Sequence, residues 1–110
     1  MVFNKLVRDK IPAIIEAQGK TATVRILDDG EYTRALERKL DEEVREFHSE
    51  KNLEELADIL EVVYALAENI GHSKEELLSV YVQKHEERGG FCDRIFLVSN
   101  YSLHFCIAVL

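Results

Sequence analysis

Apolar positions recur at helical spacing along most of the chain. Leu36, Leu40, Val44 and Phe47 follow one another at intervals of 4, 4 and 3, a single stripe that predicts a helix over about residues 31–48. A break is expected at residues 49–51. Asn52 is suited to cap the next helix, in which Leu53, Leu56, Leu60, Val63, Tyr64, Ala67 and Ile70 continue the stripe until Gly71. Ser73 and Glu76 have the spacing of a capping box for a last helix containing Leu77, Val80, Tyr81 and Lys84, which Gly89 and Gly90 end.

Ahead of these elements, Pro12 fits a first helical turn, because its missing N–H would have no partner there. Ile11, Ile14 and Ile15 keep helical spacing before Gly19, so a helix of about two turns is expected. Thr21, Thr23, Val24, Arg25, Ile26 and Leu27 favour extended backbone, and Asp28, Asp29 and Gly30 favour a turn, which together predict a brief strand or extended arm. The pattern as a whole predicts an all-α fold: a small antiparallel bundle of about four helices with a short N-terminal extended arm. An αα-hairpin with two short added helices leaves one face of such a bundle uncovered, so assembly as a homodimer or a dimer of dimers is expected.

Composition narrows the class. A chain of 110 residues with 32% charged and 46% hydrophobic positions is the size of one domain and apolar enough to fold. Its net charge of −7 argues against a nucleic-acid polymer or an anionic membrane as partner, since both require a basic footprint. The excess is local: residues 28–61 hold 13 acids and 5 bases, a net of −8, and the rest of the chain sums to +1. All 35 charged side chains lie at or before Arg94, so residues 95–110 form an uncharged, largely apolar end too short to span a bilayer. A domain over residues 1–97 with a separate tail at 98–110 follows. Cys92 and Cys106 have neither a disulfide framework nor zinc spacing and read as free thiols. With no signal peptide behind Met1 and no apolar run long enough to cross a membrane, a cytoplasmic protein is expected.

An acidic run is ordinarily a solvated helix face, and either acidic pair of this chain taken alone reads that way. Together they read differently. Glu43 and Glu46 lie three apart on one helix, Glu55 and Asp58 three apart on the next, and a short hairpin turns the two pairs toward each other beside their apolar stripes. Carboxylates converging in this way repel unless a divalent cation joins them. Oxygen donors without histidine or thiol select Mg²⁺ or Mn²⁺ over zinc, and the Glu-x-x-His of di-iron bundles is missing from both helices.

These motifs resemble a known family. Glu42-Glu43-x-x-Glu46 followed by Glu55-x-x-Asp58 resembles the metal-binding signature of the MazG-like all-α nucleoside triphosphate pyrophosphohydrolases. The opening Asn4-Lys5-Leu6-Val7-Arg8-Asp9-Lys10-Ile11-Pro12 and the closing Glu87-Arg88-Gly89-Gly90-Phe91 are similar to the phosphoribosyl-ATP pyrophosphohydrolase-like branch, and the likeness covers about residues 3–97. Only eight residues, 47–54, separate the two acidic halves, so the loop that would shape a base pocket is short.

The resemblance implies Mg²⁺-dependent cleavage of a nucleoside triphosphate between its α- and β-phosphates, giving a monophosphate and pyrophosphate. Glu43, Glu46, Glu55 and Asp58 would hold the cation, with Mn²⁺ a substitute, and Glu42 would orient or deprotonate the attacking water. Polyphosphate also calls for cations from the protein. Lys84 and Arg88, four apart on the last helix, are the first choice, and Lys5, Arg8 and Lys10 form a second basic group. Ion pairing with the acidic segment is the competing reading for Lys5. Two other functional classes remain: an acidic helical module that meets a basic protein, and a pseudoenzyme that binds nucleotide without turnover.

Overall fold

The computed structural model describes Met1 and residues 3–100, and among these it is all-helical, with four helices and no strand. They are α1 (Ile11–Ala17), α2 (Asp29–Glu50), α3 (Leu53–Asn69) and α4 (Lys74–Arg88). The chain divides into two compact units, Met1–Leu78 and Ser79–Leu110, with the division inside α4. The tail read at 98–110, with Cys106, lies almost wholly outside the described residues.

The helix boundaries follow from their caps. Asp28 accepts a hydrogen bond from the Glu31 backbone N–H at 2.8 Å while the Glu31 carboxylate accepts from the Asp28 N–H at 3.3 Å, a complete capping box. The expected turn at residues 28–30 is therefore the first turn of α2, which starts at Asp29. Arg25 grips the same Glu31 through two hydrogen bonds of 3.1 and 2.7 Å. Arg25 first, then the Asp28 N–H, hold the Glu31 carboxyl at about 2, below its ordinary 4.5. The run at residues 20–28 forms neither helix nor strand: no second strand among the described residues pairs with it, and extended propensity without a ladder partner leaves irregular backbone. Asn52 caps α3 by accepting from the Glu55 N–H at 3.0 Å, and the Ser73–Glu76 box caps α4 with bonds of 3.1 and 3.2 Å.

In the first unit α2 and α3 pack as an antiparallel hairpin. The Asn69 amide donates to the Thr33 hydroxyl at 3.1 Å, tying the start of α2 to the end of α3. Leu36, Val62 and Ala67 are the buried apolar residues, and Leu40, Val44, Phe47, Ile59, Val63 and Leu66 are half-buried around them. The Lys74 ammonium lies 4.5 Å from the Tyr64 ring centroid, a cation–π contact between the first turn of α4 and α3.

Two apolar stripes depart from the expectation. Leu53, Leu56 and Leu60 are exposed by 77, 45 and 48%, because the inward face of α3 runs through Glu55, Asp58, Ile59, Val62, Leu66 and Ala67 instead. Glu55 and Asp58 thus stand in the packed stripe of α3, as Glu43 does in that of α2. On α4, Val80 and Tyr81 are also exposed.

Candidate metal centre

The connection between α2 and α3 aligns the acidic side chains. Lys51 ends α2 in the left-handed region, at φ 50 and ψ 45, with its N–H donating to the Phe47 carbonyl at 2.8 Å. A non-glycine residue there costs about 1 kcal/mol, and the geometry reverses the chain so that Asn52 can cap α3 at once. Glu43 and Asp58 then lie at nearly equal distances along the chain from the turn, as do Glu46 and Glu55.

Three of the four expected ligands converge. Glu43, Glu55 and Asp58 each offer a carboxylate oxygen, and these atoms all lie within 4.8 Å of one another. Glu43 is only 5% exposed, and its Oε2 and the Oε2 of Glu55 are buried without a hydrogen-bond partner. Buried carboxylate oxygens facing other carboxylates without donors are costly for the folded chain, and a cation is what would satisfy them. Glu46 is exposed and stands outside this group of three. It still acts on the group: burial first, then the charges of Glu46, Asp58 and Glu43, push the Glu55 carboxyl above its ordinary value.

The donor set fits Mg²⁺ or Mn²⁺. All three donors are hard carboxylate oxygens, with no nitrogen or sulfur among them, and such a set suits these cations.

Basic side chains surround the acids. Lys39 lies 3.2 Å from Glu43 Oε1 and 3.6 Å from Glu42 Oε1, one turn away on α2. Lys5 donates to Glu42 Oε1 at 3.1 Å, and Arg8 donates to Asp58 Oδ1 at 2.6 Å. The N-terminal segment therefore lies along the acidic hairpin, and for Lys5 and Arg8 the contacts present are ion pairs. Burial raises the Glu42 carboxyl, but the Lys5 hydrogen bond and the charges of Lys39 and Lys5 outweigh it, and Glu42 ends below its ordinary value. Glu42 is thus held ionised. Lys10 is exposed at the N-cap of α1, without an ion pair among the described residues. Lys84 and Arg88 are exposed on the part of α4 that belongs to the second unit, where Arg88 borders a hollow lined by Gly89, Gly90, Phe91 and Arg94.

Lys39 does carry a local signal in the sequence, because its spacing to Glu42 and Glu43, three and four residues, is that of a helical ion pair. The contacts of Lys5 and Arg8 cross 37 and 50 positions and have no such local signal.

No helix of the described residues is long and apolar enough to cross a membrane. No family model matches the chain, and no solved structure matches it. A stretch of 45 residues, 41% of the chain, is 53% identical to an uncharacterized protein of Mycolicibacterium smegmatis (strain ATCC 700084 / mc(2)155). That match spans 46% of the relative, so the chain covers about half its length.

Proposed function

We propose that this chain is a MazG-like, phosphoribosyl-ATP pyrophosphohydrolase-like enzyme of the cytoplasm that hydrolyses a nucleoside triphosphate between its α- and β-phosphates. The observation that carries the reading is the meeting of Glu43, Glu55 and Asp58 in the packed seam of the hairpin, with two buried oxygens lacking donors. Structural acids belong on solvated faces, whereas Glu43 is buried and Glu55 and Asp58 are half-buried beside it.

When bound, Mg²⁺ supplies neutralisation of phosphate charge and a water of lowered pKa. Glu43, Glu55 and Asp58 would hold the cation, with Glu46, at the rim beside Glu55, as a fourth carboxylate within reach. Glu42, kept ionised by Lys5 and Lys39, orients the attacking water and accepts its proton. The water oxygen bonds to phosphorus as the bridging P–O bond breaks, and pyrophosphate leaves. Arg8, Lys5 and Lys10 lie on the segment along the hairpin and supply cations for the phosphates. Lys84 and Arg88 are proposed as phosphate contacts on their charge and four-residue spacing alone, with no position assigned relative to the hairpin.

Purified protein offered phosphoribosyl-ATP, unmodified deoxynucleoside triphosphates and damaged nucleotides with Mg²⁺ releases pyrophosphate from at least one. Orthophosphate release, or no turnover across the panel, rejects the assignment and favours the interaction module or the pseudoenzyme.

The same reading includes a homodimer or dimer of dimers. Leu53, Leu56 and Leu60, exposed along one side of α3, form the kind of apolar stripe that a second copy covers. Sedimentation at micromolar concentration reads this directly, and a single-chain mass would reject it.

A further inference from the structure

We infer that Lys39 is a positioning residue of the metal centre, anchoring one oxygen of Glu43 so that the other is presented to Glu55 and Asp58. The inference rests on the proposed metal centre and deepens it.

Glu43 has two chemically equivalent oxygens in unequal surroundings. Oε1 lies 3.2 Å from the Lys39 ammonium, while Oε2 is buried without a partner. The Lys39 side chain is only 17% exposed, against 45% for Lys5 and 53% for Arg8, so it is the best enclosed of the cations paired with the acidic hairpin. Its ammonium also reaches Glu42 Oε1 at 3.6 Å. A lysine held by two carboxylates from its own helix, at three and four residues, has little freedom to leave and fixes the rotamer of the buried one. Asp58 repeats the arrangement, since Arg8 holds its Oδ1. Metal-ligating carboxylates are ordinarily held by such outer partners, and removing one weakens metal binding about 10–100-fold.

A competing effect has the opposite sign. If Lys39 acted only as a counter-ion for excess acid, it would repel an arriving cation, and its removal would tighten metal binding. The sign of the change therefore separates positioning from charge balance.

The test is titration of Mn²⁺ alone, with the free ion followed by electron paramagnetic resonance, in the full chain and in Lys39→Met and Lys39→Arg. Circular dichroism checks folding, and Lys39→Gln takes the place of Lys39→Met if that variant fails to fold. Expected is a dissociation constant about 10–100-fold weaker in Lys39→Met and restored toward wild type in Lys39→Arg, which keeps a cationic donor. Equal or tighter binding in Lys39→Met overturns the positioning role and leaves the metal centre standing. No Mn²⁺ binding by the wild type overturns the centre, and the role of Lys39 with it.

Discussion

Glu43→Gln and Asp58→Asn each lose pyrophosphate release by about 1,000-fold or more, because removing a charged ligand forfeits several kcal/mol of transition-state charge stabilisation and each 1.4 kcal/mol is tenfold in rate. Helical content should stay near wild type. Both replacements are nearly isosteric, and the caps at Asp28, Asn52 and Ser73 and the Leu36, Val62 and Ala67 packing do not involve the changed atoms. The variants differ in one respect. Asp58→Asn weakens the hold on Arg8, whose 2.6 Å bond to Oδ1 is charge-assisted, whereas Glu43→Gln leaves Lys39 its second contact at Glu42. The measurement is initial velocity on the best nucleotide of the panel, with circular dichroism alongside. Loss of folding in both variants would mean that the carboxylates serve structure and not turnover.

Magnesium raises the melting temperature of the wild type and leaves that of Glu43→Gln nearly unchanged. A ligand that binds only the folded state stabilises by RT ln(1 + [L]/Kd), about 2.7 kcal/mol at one hundred times Kd, which for a domain of this size is a shift of about 10–20 °C. The source of the gain is local. Metal-free protein holds Glu43 and Glu55 oxygens buried without donors, and a cation removes that cost as well as the repulsion among Glu43, Glu55 and Asp58. Differential scanning fluorimetry with and without Mg²⁺, with potassium chloride matched for ionic strength, isolates the specific effect. An equal shift in wild type and Glu43→Gln would reduce it to screening of a −7 chain.

What could be read from the sequence was mostly local. Asn52 and the Ser73–Glu76 box cap helices as their residue types require, and the hairpin follows from two apolar stripes separated by a short break. The start of α2 is hidden in the sequence because Asp28, Asp29 and Gly30 have turn composition, and only the reciprocal bonds with Glu31 make Asp28 a cap. The inward face of α3 is hidden for a more general reason. Leu53, Leu56 and Leu60 make a regular stripe, but burial depends on which face meets α2, and that face carries Glu55 and Asp58. Hydropathy cannot rank a carboxylate as a packed position, so the acids were expected at the edge of the stripe and stand within it. Glu46 has the same three-residue spacing from Glu43 that Asp58 has from Glu55, but it stands at the exposed rim, outside the group of three. The pairs of Lys5 with Glu42 and Arg8 with Asp58 depend on where an irregular segment lies, which no local rule determines.

The product of one incubation tests the central claim most directly. With Mg²⁺ and a nucleoside triphosphate that the protein accepts, phosphorus NMR should show the three triphosphate signals giving way to equal amounts of nucleoside monophosphate and pyrophosphate, with no change when the cation is chelated. Nucleoside diphosphate with orthophosphate, or an unchanged triphosphate spectrum for every nucleotide of the panel, would contradict it.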